Sequence, residues 1–136
     1  MRIMSLDYGD KRIGVAVSDE QGSIAGPLTV IQRESMKKDL QRINELVETY
    51  GVARLVVGLP LNMDGSRGET AAKVEKFVNR LKGRVKVPVV YWDERLTSKI
   101  AANTLREANA RKTRETGTLD KMAAVIILQS YLDQHD

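Results

Sequence analysis

Cysteine is absent from the 136 residues, so neither a disulfide framework nor thiolate chemistry is available. Histidine occurs once, at His135, next to the last residue, where fraying is expected. That removes the usual general base, a Ser-His-Asp triad and any multi-histidine zinc site. No apolar run approaches the roughly 18 to 20 residues that span a bilayer, and no stretch reads as a signal peptide. The expectation is therefore a cytoplasmic enzyme or binding protein with no membrane partner. Any catalysis must be supplied by carboxylates and basic side chains.

What is present describes an ordinary globular chain, 42% hydrophobic and 29% charged, at a length that suits one domain over residues 1–136. The net charge of +4 says little until it is located. From Arg95 to Arg114 six basic residues (Arg95, Lys99, Arg106, Arg111, Lys112, Arg114) face only Glu107, so this segment carries +5 and the other 116 residues sum to −1. A local basic stripe is the electrostatic footprint expected for a polyanion, although a solvated helix face and a charged loop would produce the same count.

Hydrophobic periodicity divides the chain into strands and helices. Strands are expected at Arg2–Leu6, at Arg12–Ser18, where Ile13, Val15 and Val17 share one face, and at Ser23–Ile31, whose Pro27 belongs at a sheet edge. Helical spacing runs from Lys37 to Tyr50 and from Arg67 to Leu81, with short apolar strands at Arg54–Gly58 and Pro88–Trp92. Thr97 is placed to cap a helix through Ala108, Asn109–Gly117 is polar, and Thr118 caps a last helix carrying Leu119, Met122, Ala123, Ile126, Ile127 and Leu132. The order βββ-α-β-α-β-α-α, with right-handed crossovers, gives an α/β fold: a mixed five-stranded sheet of order 3-2-1-4-5. The first three strands form an antiparallel meander, and helices cover both faces.

In that sheet the carboxyl ends of strands one, four and five open along one edge, where ligands of open α/β sheets bind. Asp7 stands at the end of strand one, Asp93-Glu94-Arg95 at the end of strand five, and Asp120 in the first turn of the last helix, which can pack back towards the same edge. Each acid alone has a plain explanation, in turn chemistry, a surface ion pair or the helix dipole. Three carboxylates gathered together need a cation, and oxygen ligands without His or Cys imply Mg²⁺ or Mn²⁺. Such ions can activate water against a phosphodiester.

The stretches LDYGDKRIGVAVSD, VVGLPLNMDGS, YWDERLTS and LDKMAAVIILQSYL, in that order from Leu6 to Leu132, resemble the YqgF, or RuvX, family of RNase H-like nucleases. The resemblance implies an RNase H-like fold and metal-dependent phosphodiester hydrolysis. Maturation of the 5′ end of the 16S ribosomal RNA precursor is the preferred role and Holliday junction resolution the alternative. It also implies that Asp7, Glu94 and Asp120 hold the metal and that Arg95 serves phosphate, while strand geometry keeps Asp93 and Asp64 as less favoured candidates for the third ligand. The third ligand poses a geometric problem. Many RNase H-like domains end strand four on an acid, whereas here that strand ends Gly58-Leu59-Pro60, leaving two strand spacings, about 9–10 Å, between strands one and five.

Lys11, Arg12, Asn62, Ser66, Arg67, Arg95, Lys99, Arg111, Lys112 and Arg114 are the expected nucleic-acid contacts. Gly9 and Gly14 could admit a phosphate or serve the turn; Tyr91 and Trp92 are expected in the core rather than on a base. The expected partners are RNA in preference to structured DNA, and the small ribosomal subunit precursor, bound by a monomer or weak homodimer. Two rivals remain. The first stretch also resembles the phosphate loop of actin-like ATPases and sugar kinases, which need two such lobes. A non-catalytic RNA-binding assembly module would retain the fold without needing the acids.

Overall fold

The computed structural model describes residues 1–96 and 118–134, and of 118–120 the backbone only. The helix expected over Thr97–Ala108 and the polar stretch Asn109–Gly117 lie outside the described residues. The elements are β1 (Arg2–Tyr8), β2 (Arg12–Ser18), β3 (Ala25–Gln32), α1 (Met36–Thr49), β4 (Val52–Leu59), α2 (Glu69–Lys82), β5 (Val89–Asp93), a 3-10 turn (Glu94–Leu96) and α3 (Thr118–Gln134). The strands form one sheet in the order β3-β2-β1-β4-β5, as the sequence implied.

β1 pairs antiparallel with β2 and parallel with β4; β2–β3 is antiparallel and β4–β5 parallel. Pro27 is on the edge strand β3, opposite Ala16, beside a register irregularity between Val15 and Ala16. Its missing N–H therefore costs no interior ladder bond. β1 runs two residues further than the apolar pattern suggested, because the hairpin ladder continues through Asp7↔Gly14 and Tyr8↔Ile13. Asp7 is thus inside a hydrogen-bonded strand rather than beyond its end.

The pleat sends alternate residues to opposite faces. Met4, Leu6, Ile13, Val15, Leu55 and Val57 pack with Phe77, Val78 and Leu81 of α2 and Leu40, Ile43 and Val47 of α1. Ile3, Ala16, Val56 and Trp92 meet Ala124, Ile127, Leu128, Tyr131 and Leu132 of α3 on the other side. Trp92 is core, in edge-on contact with Tyr131 at 5.9 Å between ring centroids. Met122, Ala123 and Ile126 are only half-buried; among the described side chains of α3 the fully packed stripe begins at Ala124, and that of Leu119 lies outside them.

Polar clamps fix α3 across the whole sheet. The buried Ser5 hydroxyl donates to the Ala124 carbonyl at 2.6 Å, and Arg54 Nη1 donates to the Tyr131 hydroxyl at 2.6 Å. The Gln129 amide accepts from Ala25 N at 2.9 Å and donates to the Ser23 carbonyl at 3.1 Å. Small residues on the facing strands, Ser5, Ala16 and Gly58, let the helix approach this closely. Ala124 lies over Ser5, while Tyr131 and Leu132 lie by Ile3. α3 therefore runs opposite to β1, and its first turn is carried toward the carboxyl end of that strand.

Candidate active site

Asp7 alternates with Ser5, so it belongs to the α3 face of the sheet. Along α3, Asp120 is one turn before Ala124 and two turns before Ile127, both packed on the sheet. Moving two residues from Ser5 to Asp7 and four from Ala124 to Asp120 covers about 6 Å in each element, in the same direction. The backbone thus brings Asp120 and Asp7 to the same corner.

Glu94 reaches that corner by a route that the sequence does not display. β5 ends at Asp93, whose Oδ1 accepts the Arg95 amide at 2.9 Å. This closes the 3-10 turn, as a short acidic side chain does in an Asx turn. The turn throws Glu94 back across β4, and its carboxylate settles where β4 has no side chain. A Cβ on Gly58 would stand 3.0 Å from Glu94 Oε1, 3.2 Å from its Cδ and 2.7 Å from Ile127 Cδ1. Leu6 pairs with Val57, so the next residues along, Asp7 and Gly58, are side by side. The Glu94 carboxylate is therefore one strand spacing from β1, about 4.8 Å laterally, instead of the two expected from strand order. Gly58 vacates the place that an acid on strand four would fill, and Glu94 fills it from β5. Both Asp7 and Glu94 are half-buried.

The alternative third ligands are otherwise engaged. Asp93 grips Arg95 through a fork, Nη2–Oδ2 at 2.7 Å and Nε–Oδ2 at 3.0 Å. That hydrogen-bonded ion pair holds the Asp93 carboxyl below the usual carboxylate range. Asp64 accepts from the Ser66 hydroxyl at 2.6 Å and the Ser66 amide at 2.9 Å, which lowers its pKa as well. Arg95 Nη1 also donates to the Met63 carbonyl at 3.3 Å, tying the loop after β4 to the turn after β5. In the same loop Asn62 bonds the Ser66 hydroxyl at 3.0 Å, and Gly65 takes a φ of +87°, a conformation that glycine adopts without strain. Among the described residues no group of three His, Cys, Asp or Glu side chains forms a metal cluster, the Asp120 side chain being outside them.

A titration checks the fork. Asp93 has a folded pKa below its unfolded one, so its contribution to stability is complete above the ordinary carboxylate pKa of about 3.9 and is lost as pH falls through the lower folded value. The Arg95 Nε–H resonance is expected to stay constant from pH 7 to about pH 4 and to move only on further acidification. In Asp93→Asn it should stand elsewhere at every pH.

The other expected contacts are scattered more widely. Lys11 is exposed in the β1–β2 turn and Arg12 half-buried at the start of β2. Gly9 serves the turn, where a Cβ would stand 2.6 Å from the Arg12 carbonyl. Arg67 precedes α2 and pairs with Glu75 at 3.0 Å. Lys99, Arg111, Lys112 and Arg114 lie outside the described residues.

One important group went unread in the sequence. Arg33 Nε meets the buried Asp39 at 3.1 Å, while its Nη1 donates to the Tyr8 hydroxyl at 2.7 Å and the Gly9 carbonyl at 3.2 Å. Its guanidinium lies 4.6 Å over the Tyr8 ring. Burial disfavours this cation, but the bonds to Asp39 and Tyr8 outweigh that and raise its pKa. The cluster anchors the corner immediately after Asp7. The available signal was Ser35, a helix N-cap whose hydroxyl accepts from Lys38 N at 3.2 Å, with an acid four residues beyond it on the inward side of α1.

A 3-2-1-4-5 sheet with acids on β1, after β5 and in the first turn of a helix crossing one face defines the RNase H-like class of α/β nucleases. A family profile described as "RuvX: Holliday junction resolvase" matches residues 1–134. The chain belongs to this RuvX family. A protein from Thermoanaerobacter pseudethanolicus named "Putative pre-16S rRNA nuclease" is 49% identical over 134 residues, covering 98% of this chain and 96% of its own. One of the same name from Syntrophomonas wolfei is 47% identical over 133 residues, covering 98% and 94%. Among solved structures, T. thermophilus RuvC in complex with a Holliday junction substrate superposes with a TM-score of 0.64 at 16% identity, covering 99% of this chain and 96% of that one. A fowlpox virus resolvase bound to junction DNA superposes at 0.60 with 13% identity, covering 99% of both. At these identities the two structures speak for the fold.

Proposed function

We propose that this chain is a cytoplasmic, single-domain, metal-dependent nuclease that hydrolyses phosphodiesters and matures the 5′ end of the 16S ribosomal RNA precursor. The observation that carries the reading is the Glu94 carboxylate lying over Gly58, beside Asp7 and on the sheet face that α3 crosses. Membership of the RuvX family and the names of relatives that match nearly the whole chain support the substrate.

The donors that fit a metal are all carboxylate oxygens, which favours Mg²⁺ or Mn²⁺. Asp7, Glu94 and Asp120 would hold it. Bound there, such an ion lowers the pKa of water and neutralises charge on the phosphodiester. The chain's own work is placement. The pleat presents Asp7 on the α3 face, Gly58 gives Glu94 its bed, and the Asp93–Arg95 fork holds the turn that delivers Glu94. Lys11 and Arg12 at the mouth add positive charge for an approaching backbone.

The test is cleavage of labelled precursor ribosomal RNA ends, single-stranded RNA and four-way DNA junctions with Mg²⁺ or Mn²⁺, comparing wild type, Asp7→Asn and Asp120→Asn. Metal-dependent cutting of the precursor end, lost in both variants, is the expected result. The family profile's own description favours junction resolution as a second reading. Preference for the four-way junction, with a two-fold dimer in solution, would establish that instead. Binding without cutting by any form would leave an RNA-binding assembly module.

A further inference from the structure

On the opposite side of the sheet from the acids, the first turn of α1 and the last turn of α2 border an open cleft of about 390 Å³. Three cations line it, Lys37, Arg80 and Arg84, with no acid among the lining residues. The apolar surface is provided by Met36 and Leu40, and Asn79 contributes an amide. Several other cations have acid partners, Lys38 with Glu34, Arg67 with Glu75, Lys73 with Asp10 and Arg95 with Asp93; Arg42, Lys82 and Lys86 stand without one among the described residues but do not line a shared cleft.

The helix dipole explains only part of the grouping. Arg80 is in the last turn of α2 and Arg84 just beyond it, where a cation is favoured. Lys37 is in the first turn of α1, where the dipole disfavours it. Three like charges gathered without a counter-charge are held against mutual repulsion that an anion would relieve. An anion there would also meet the positive end of α1.

We propose that this cleft is a second binding site for the substrate, gripping a single-stranded segment of RNA outside the scissile phosphodiester. Its phosphates meet Lys37, Arg80 and Arg84. A ribose or base rests on Met36 and Leu40, with Asn79 positioned for a base edge. The inference rests on the nucleic-acid reading of the family and adds an anchor on the face away from the acids, so that a long RNA engages both sides of the sheet.

The experiment is fluorescence anisotropy of full-length protein with a labelled single-stranded precursor RNA in EDTA, across a salt series. Wild type is compared with Lys37→Ala/Arg80→Ala/Arg84→Ala and with Arg42→Ala/Lys82→Ala/Lys86→Ala, which removes the same charge outside the cleft. Three lost phosphate contacts should flatten the slope of log Kd against log salt by about 2 in the first triple variant. The control should keep most of the wild-type slope. Equal slopes in the two triple variants, or an unchanged slope in the first, overturn the proposal. Cutting is scored separately with Mg²⁺ on wild type. A flattened slope in a protein that cuts nothing leaves the cleft standing and removes the nuclease, whereas cutting with an unaltered slope does the reverse.

Discussion

Gly58→Ala is expected to cost about 10²-fold in cleavage rate, although position 58 carries no chemistry of its own. A methyl group there would collide with Ile127 Cδ1 at 2.7 Å and crowd the Glu94 carboxylate at 3.0 Å. Alanine suits a strand interior better than glycine by roughly 0.5–1 kcal/mol, so backbone preference alone would make the change stabilising. The collision opposes that. Overpacking of a tight core costs about 1–3 kcal/mol, and the flexible end of Glu94 yields before the buried isoleucine does. The acid is then displaced from the side of Asp7 by a distance on the scale that catalytic positioning does not tolerate. Because both changes act through one carboxylate, Glu94→Gln in the Gly58→Ala background should lower the rate little further, a strong departure from additivity. Mn²⁺ affinity measured by calorimetry should fall in both single variants. Full activity in Gly58→Ala would show that Glu94 does not work from its place over β4.

Arg33→Met is expected to destabilise the protein by about 3–5 kcal/mol, more than any single change at the site, because it leaves Asp39 charged and 1% exposed without its partner. For a chain of this size that corresponds to a fall in Tm of roughly 10–15 °C. Burying an ion pair is costly for both members, and the cost becomes visible when one is removed alone. The double variant Arg33→Met/Asp39→Leu should therefore recover much of the loss. It also lacks the Asp39 bond to the Glu34 amide, 3.1 Å in the parent, so recovery stops short of wild type. Urea unfolding of the four forms closes the cycle. A single variant as stable as the parent would mean that Arg33 only decorates the corner it touches.

The sequence made the architecture legible because periodicity and turn chemistry agreed. Alternating β-branched residues marked β2, Pro27 marked the edge strand, and short connections left few ways to order five strands. It also singled out Asp7 as a candidate, at a corner that the hairpin displays directly. It named Glu94 as the third acid but not how its carboxylate spans the gap, because strand order sets only the spacing between backbones, and the path runs over Gly58, a residue with no side chain. The intervening fact was that Asp93 spends itself on Arg95 and on the turn. An acid that bonds its own near neighbour looks, in sequence, the same as an acid that faces outward. The Arg33–Asp39 pair was obscured for a similar reason: a charged residue on the inward side of α1 breaks the apolar pattern by which that side is recognised.

α3 follows every strand in the chain, yet it covers one whole face of the sheet and carries Asp120. Synthesis proceeds from the amino terminus, at about 5–20 residues per second, so the strands leave the ribosome before the helix that covers them. Until Ala124 can reach the Ser5 hydroxyl, Ile3, Ala16 and Val56 remain uncovered and Asp120 is absent from the corner that holds Asp7. If the proposed three-acid site is right, a nuclease built in this order cannot cut the RNA beside which it is translated until α3 has emerged and docked.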